Sequence, residues 1–142
     1  MAELTHERID IGPLCEAAAR PDCGAIAMFL GTTRDHHEGR HVVRLEYEAF
    51  AAMAVREMTR LENEARVRFE VASCLVVHRL GTVPPAEASV AIVVVAAHRG
   101  PAFEACRWLI DELKRVVPIW KKEHYAGGEA DWVRGRRLDE PR

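Results

Sequence analysis

The order of hydrophobic patterns along the 142-residue chain predicts a single α+β domain. Three observations carry this. Ala88 to Ala97 is a continuous Val/Ile/Ala run, the signature of a central strand covered on both faces. Two long segments, Ala49 to Phe69 and Gly100 to Val117, have the composition or spacing of helices. The shorter segments between them are compact apolar runs or alternate with period two, as strands do.

In chain order, Met1 to Asp10 is polar and mixed in charge and reads as a loose end. Pro13 to Arg20 reads as a short helix, broken by Pro21-Asp22. Gly24 to Leu30 is a compact apolar run ending at Gly31, hence a buried strand. Thr32 to Arg40 reads as a polar loop. Val42 to Tyr47 sets Val43, Leu45 and Tyr47 against Val42, Arg44 and Glu46, the period of a half-exposed strand. Ala49 to Phe69 lacks Gly and Pro, is rich in Ala, Met, Glu and Arg, and carries a stripe of Met53, Met58, Leu61 and Ala65. It is the first long helix. Val71 to His78 reads as a strand and Leu80 to Pro85 as a loop. The central strand follows.

Gly100-Pro101 opens the second long helix, with proline at or near its first position. Cys106, Leu109, Ile110, Leu113, Val116 and Val117 recur at helical spacing, and Pro118 stops the helix. Ile119 to Tyr125 is extended, Gly127-Gly128 is a turn, and Ala130 to Val133 is a last short strand. Residues 135–142 form a charged tail. The order is roughly α-β-β-α-β-β-α-β, a mixed or antiparallel sheet with two main helices.

Composition narrows the function. Hydrophobic residues make up 49%, enough for a proper core, and the formal net charge is -2. A dedicated nucleic-acid binder would be clearly basic. The start lacks the apolar core of a signal peptide, and the longest apolar run falls well short of the roughly 20 residues that span a bilayer. A cytoplasmic protein, neither secreted nor membrane-spanning, is expected. Cys15, Cys23, Cys74 and Cys106 form no CxxC pair and read as reduced thiols.

Three places combine cations with the ends of elements. Arg34 follows the Gly24–Leu30 strand in Gly31-Thr32-Thr33-Arg34. Taken alone it is an ordinary solvated loop arginine; held by a rigid strand, it can also project into a cleft. His98 and Arg99 link the most buried strand to a helix start, where backbone N–H groups favour anions. A phosphate or carboxylate site and a plain capping turn are both open there. Lys114 lies in the last helical turn, where cations complement the helix dipole. Lys121 follows the proline break beside Trp120, on the opposite side of a strand. A lysine against an apolar wall has its ammonium form disfavoured, which suits a base or nucleophile. His36, His37 and His41 lack the accompanying cysteine or carboxylate pattern of a zinc site, and no metal is expected. No phosphate loop, dinucleotide turn or Ser-His-Asp spacing is present.

These pieces match one family. Phe29-Leu30-Gly31-Thr32-Thr33-Arg34, Leu45-Glu46-Tyr47-Glu48, Val77-His78-Arg79-Leu80-Gly81, Ala97 to Ala105, Leu113 to Glu123 and Trp132-Val133 resemble, in order and spacing, motifs of the catalytic (large) subunit of molybdopterin synthase. The Leu113–Glu123 motif is the long and specific one.

The resemblance implies an α/β-hammerhead fold in a homodimer. Each large subunit would bind a small ubiquitin-like sulfur carrier, giving a heterotetramer. The carrier's C-terminal Gly-Gly thiocarboxylate would pass sulfur to cyclic pyranopterin monophosphate and make the dithiolene of molybdopterin. By motif position, Lys114 and Lys121 carry over as catalytic lysines. Arg34, His98 and Arg99 carry over as substrate-pocket residues, Phe29 and Ile110 as pocket walls, and Arg136 as an arginine donated across the dimer. No resident cofactor is implied.

Two other readings use the same residues. A non-catalytic module docking a ubiquitin-like protein would tolerate loss of both lysines. An RNA- or nucleotide-phosphate-binding domain would bind polynucleotides with strong salt dependence, against which the acidic balance speaks.

Overall fold

The computed structural model describes residues 2–133. Its elements are β1 (Glu3–Thr5), α1 (Ile11–Ala18), β2 (Ala25–Thr32), β3 (His36–His37), β4 (Arg40–Ala49), α2 (Ala51–Phe69), β5 (Ser73–Arg79), β6 (Gly81–Val83), β7 (Ala88–Ala96), α3 (Arg99–Val116), β8 (Ile119–Tyr125) and β9 (Ala130–Val133). The α+β class is the one the sequence predicts.

Two sheets form. The first has the order β1-β5-β7-β2, and only β1 with β5 is parallel. β7 lies inside it, buried at every residue, as its unbroken apolar run requires. Val90, Ile92 and Val94 face α2 and α3, meeting Ala54, Met58, Leu61, Ala65, Ala105 and Leu109. On the other side, Ala91 packs with Ile9, Val77 and half-buried Ile11 and Leu14 of α1. The second sheet runs β3-β4-β8-β9, with β6 also on β4. Its small core is Val42, Leu45 and Tyr125.

Local chemistry sets the boundaries. Asp10 caps α1, its carboxylate accepting the Gly12 N–H at 3.2 Å. The helix therefore begins two residues before Pro13 and ends at Ala18. α2 ends at Glu70, which adopts the left-handed conformation (φ 56°). α3 starts at Arg99, so Pro101 is its third residue, still within the turn whose N–H groups have no helical acceptor. Gly31 is required by close approach, since a Cβ there would lie 2.7 Å from a Val90 methyl.

Three short strands correct the sequence expectation. Glu3–Thr5 was expected to be loose, but pairs with Val77–Arg79. His36–His37, expected in a loop, folds back on Arg40–His41. Gly81–Val83, likewise expected in a loop, pairs with Leu45–Tyr47. Among the described residues the helices number three, of which α2 and α3 are the long pair.

Candidate active site

The site forms where α3 hands the chain to β8. Pro118 has no N–H and disfavours helical geometry at the residue before it. Val117 is accordingly extended, its N–H returning to the Leu113 carbonyl at 3.1 Å. The Pro118 carbonyl takes the Phe50 N–H at 3.2 Å, anchoring the reversal to the start of α2. β8 then runs antiparallel to β4, with Lys121 opposite Tyr47. This brings Lys121 back to the hollow that Lys114 borders from the last turn of α3.

Two hollows meet at this point. The larger, about 900 Å³, is bordered by Ile110, Leu113, Lys114, Trp120, Lys121, His78 and Trp132, among others. The smaller, about 350 Å³, opens past Phe29, Leu30, Thr32 and His36. Arg34, Tyr47, Ser89, Val90, Lys114 and Lys121 border both. The two hollows are thus two approaches to one pair of lysines.

Both lysines hold their protons less tightly than usual. Lys114 is open to solvent through the mouth of the hollow, yet protein crowds its amine. That burial lowers its pKa, and the nearby charge of Lys121 lowers it further. Lys121 is half-buried, and its pKa is lowered first by burial. Glu123 opposes this and Arg34 adds to it. The result is a concentrated positive field containing two amines whose protons are loosened, beside the guanidinium of Arg34.

Arg34 is placed by its neighbour. Thr33 donates its N–H to the Glu87 carbonyl at 3.1 Å and accepts the Ala86 N–H at 2.9 Å. The end of β2 is pinned there, and Arg34 projects into both hollows. Ile110, one helical turn before Lys114, is buried on the wall of the larger hollow, and Phe29 lines the smaller. Trp120, on the rim, packs edge-on against Phe50 at 4.9 Å. Trp120 and Lys121 border the same hollow even though they alternate along β8.

His98 and Arg99 are elsewhere. They are exposed at the N-terminal end of α3 and border neither hollow. Lys114 lies fifteen positions beyond Arg99 along the helix, about 22 Å of rise. One chain therefore does not gather them with the lysines, so the substrate-pocket place expected for His98 and Arg99 is not met within a single copy. Arg136 lies outside the described residues.

Four polar residues at the site were not singled out from the sequence as site residues. Glu123 is buried and accepts the Tyr125 hydroxyl at 2.9 Å. Ser89 donates to the Gly31 carbonyl at 3.3 Å. Tyr47 packs edge-on against His78 at 5.0 Å, and burial raises its phenol pKa, with Ser89 opposing. A serine inside an otherwise apolar strand is the signal that marks Ser89, since a buried hydroxyl needs a reason. Tyr47 and His78 lie on strands of different sheets, and they meet where β6, which follows β5, pairs Gly81 with Tyr47. Among the described residues, no group of three or more His, Cys, Asp or Glu side chains is placed to hold a metal.

With that geometry in view, the comparisons are direct. Residues 4–116 match the family described as MoaE protein. The chain belongs to this family. A relative from Culex quinquefasciatus, named molybdopterin synthase catalytic subunit, is 48% identical over 133 residues, covering 92% of this chain and 85% of the relative. The crystal structure of molybdopterin synthase from Staphylococcus aureus superposes with a TM-score of 0.87 at 30% identity, over 92% of this chain and 95% of that one. A Helicobacter pylori chain solved as a complex of subunits 1 and 2 of molybdopterin-converting factor shares the fold, with a TM-score of 0.79 at 21% identity over 96% and 92% of the two chains.

Proposed function

We propose that this MoaE-family chain is the catalytic subunit of a molybdopterin synthase. It takes sulfur from the C-terminal thiocarboxylate of a small carrier subunit and delivers it to cyclic pyranopterin monophosphate. The observation that carries this is the convergence of Lys114, Lys121 and Arg34 where two hollows meet. Donor and acceptor are both anionic, so they come together only where several cations offset their repulsion. Two approaches give each reactant its own way in.

Opening the cyclic phosphate and exchanging oxygen for sulfur both require proton transfers. The lowered pKa values of the two lysines enlarge the neutral amine fraction that can accept a proton. Lys114 contacts the carrier tail and does acid–base work. Lys121, backed by Arg34, binds the phosphate and stabilises developing charge. The side chains supply the charge stabilisation, and no resident cofactor is invoked.

The working unit is a homodimer within a heterotetramer. His98 and Arg99 are too far along α3 to serve their own lysines, so they reach such a pocket only from a second copy. β2 is an edge strand exposing Ile26, Met28, Phe29 and Leu30, a surface that calls for a cover. The four cysteines are free thiols, which suits the cytoplasm. No helix of the described residues is long and apolar enough to cross a membrane.

The test is reconstitution of the protein with thiocarboxylated carrier and cyclic pyranopterin monophosphate, reading molybdopterin as its fluorescent oxidised derivative. Product formation that depends on both partners supports the assignment. A stable complex with charged carrier that yields no product points instead to a docking module.

A further inference from the structure

His78 ends a buried strand, yet its side chain borders the larger hollow together with Lys114. It is 4% exposed. Its Nδ1 lies 2.8 Å from the Arg79 carbonyl oxygen. A carbonyl only accepts, so Nδ1 carries the proton. In a neutral imidazole, that leaves Nε2 with a bare lone pair.

The ring is neutral over the working pH range: burial pushes the His78 pKa down to about 4, and the charge of Lys114 acts in the same direction. Tyr47 packs edge-on against the ring and fixes its plane. Among the described residues Nε2 has no hydrogen-bond partner, and it is not among their fully occluded unpaired atoms. The lone pair is therefore unpaired yet reachable from the larger hollow, which His78 borders.

The larger hollow also holds the carboxylates of Asp131, which accepts from Arg40 at 3.2 Å, and of Glu38, which lies 3.6 Å from His37; the groups shared with the smaller hollow are mainly donors. Arg34, Lys114 and Lys121 are cationic, and Ser89 donates its hydroxyl to Gly31. Glu123 accepts already from Tyr125. We infer that His78 is a specificity-determining residue whose Nε2 accepts a hydrogen bond from a ring N–H or O–H donor of the substrate bound in the larger hollow. The inference rests on the function proposed above. A pyranopterin carries such donors on its ring, at the opposite end from its phosphate. The cations hold the anionic end of the substrate, and His78 reads the neutral end.

The geometry offers a pair of substitutions with opposite consequences. His78→Asn keeps an amide N–H near the Nδ1 position, so it can still donate to the Arg79 carbonyl, but loses the acceptor at the Nε2 position. His78→Gln reaches the Nε2 position with an amide oxygen and gives up the short-range donor. In the reconstituted reaction, His78→Asn is expected to raise KM for cyclic pyranopterin monophosphate about tenfold, the loss of one substrate hydrogen bond. Its kcat stays within about threefold of wild type, and His78→Gln recovers most of the KM. A purely structural role predicts the reverse ranking, with His78→Asn near wild type and His78→Gln impaired. That result overturns the inference.

A second measurement needs no substitution. In wild-type protein labelled with ¹⁵N-histidine, the Nε2 signal of His78 is expected to move upfield as cyclic pyranopterin monophosphate saturates the site. An unmoved signal at saturation overturns the inference. Wild-type turnover with normal His78→Asn kinetics removes this inference and leaves the proposed function standing. Absence of wild-type turnover removes both.

Discussion

Tyr47 stands directly opposite Lys121 in the β4–β8 ladder, and both border each of the two hollows. The register of one strand pair therefore decides whether the second lysine reaches the site. A slip of one residue would turn Lys121 to the other face. Pro118 sets where β8 begins, so the proline break is as much a part of the site as the lysines.

Removing the charge of Lys121 should raise the pKa of Lys114, because that charge now lowers it. In Lys121→Met, the titration midpoint of Lys114, followed by ¹³C-labelled lysine NMR, moves upward. A downward shift would show that the two amines do not share a field.

The two lysines should also cost stability. Folding lowers both pKa values, so between each folded value and the ordinary 10.5 the unfolded chain binds more protons. Stability rises with pH across that window and is reduced below it. Lys114→Met and Lys121→Met are accordingly expected to melt no lower than wild type at neutral pH while losing activity, a trade of stability for function. Clear destabilisation of both in thermal melts would contradict this.

Much of this architecture was legible in the sequence, and the reasons differ by element. α2, α3 and β7 announce themselves because burial imposes a period on long segments, and Pro118 marks its own break. β1 is invisible because Glu3-Leu4-Thr5 has no pattern of its own, and the strand exists only through pairing with β5. β3 and β6 are similarly products of their partner β4. At the site, Lys114, Lys121 and Arg34 could be picked out because charge beside an apolar segment is conspicuous. Tyr47, His78 and Ser89 come from three strands in two sheets, and their meeting depends on how the sheets join. His98 and Arg99 look close to the lysines in a list of cations, but an 18-residue helix holds them apart.

His78 should make the fold acid-sensitive. Its folded pKa of about 4 lies below the ordinary 6.5, so the unfolded chain takes up more protons between those values. The neutral ring's contribution is fully present above pH 6.5 and is lost as pH falls toward 4, at up to about 1.4 kcal/mol per pH unit. Denaturant titrations across pH 4–7 should show this slope in wild type and a shallower one in His78→Gln. Identical slopes would mean that His78 titrates normally.

The shared core of the first sheet and its helices should be unforgiving. Leu109 is fully buried between β7 and α2. Leu109→Ala should cost about 3 kcal/mol, lost contacts plus the cavity left behind. Denaturant unfolding measures it directly, and a cost under about 1 kcal/mol would mean that the helices close over the gap.

If Lys114 and Lys121 do the chemistry as proposed, turnover needs each of them. The most direct measurement is single-turnover conversion of cyclic pyranopterin monophosphate by preformed complexes of charged carrier with wild type, Lys114→Ala or Lys121→Ala. A loss of about 100-fold or more in the rate of each variant is expected, with carrier still bound and the fold intact. Wild-type rates from either variant would contradict it.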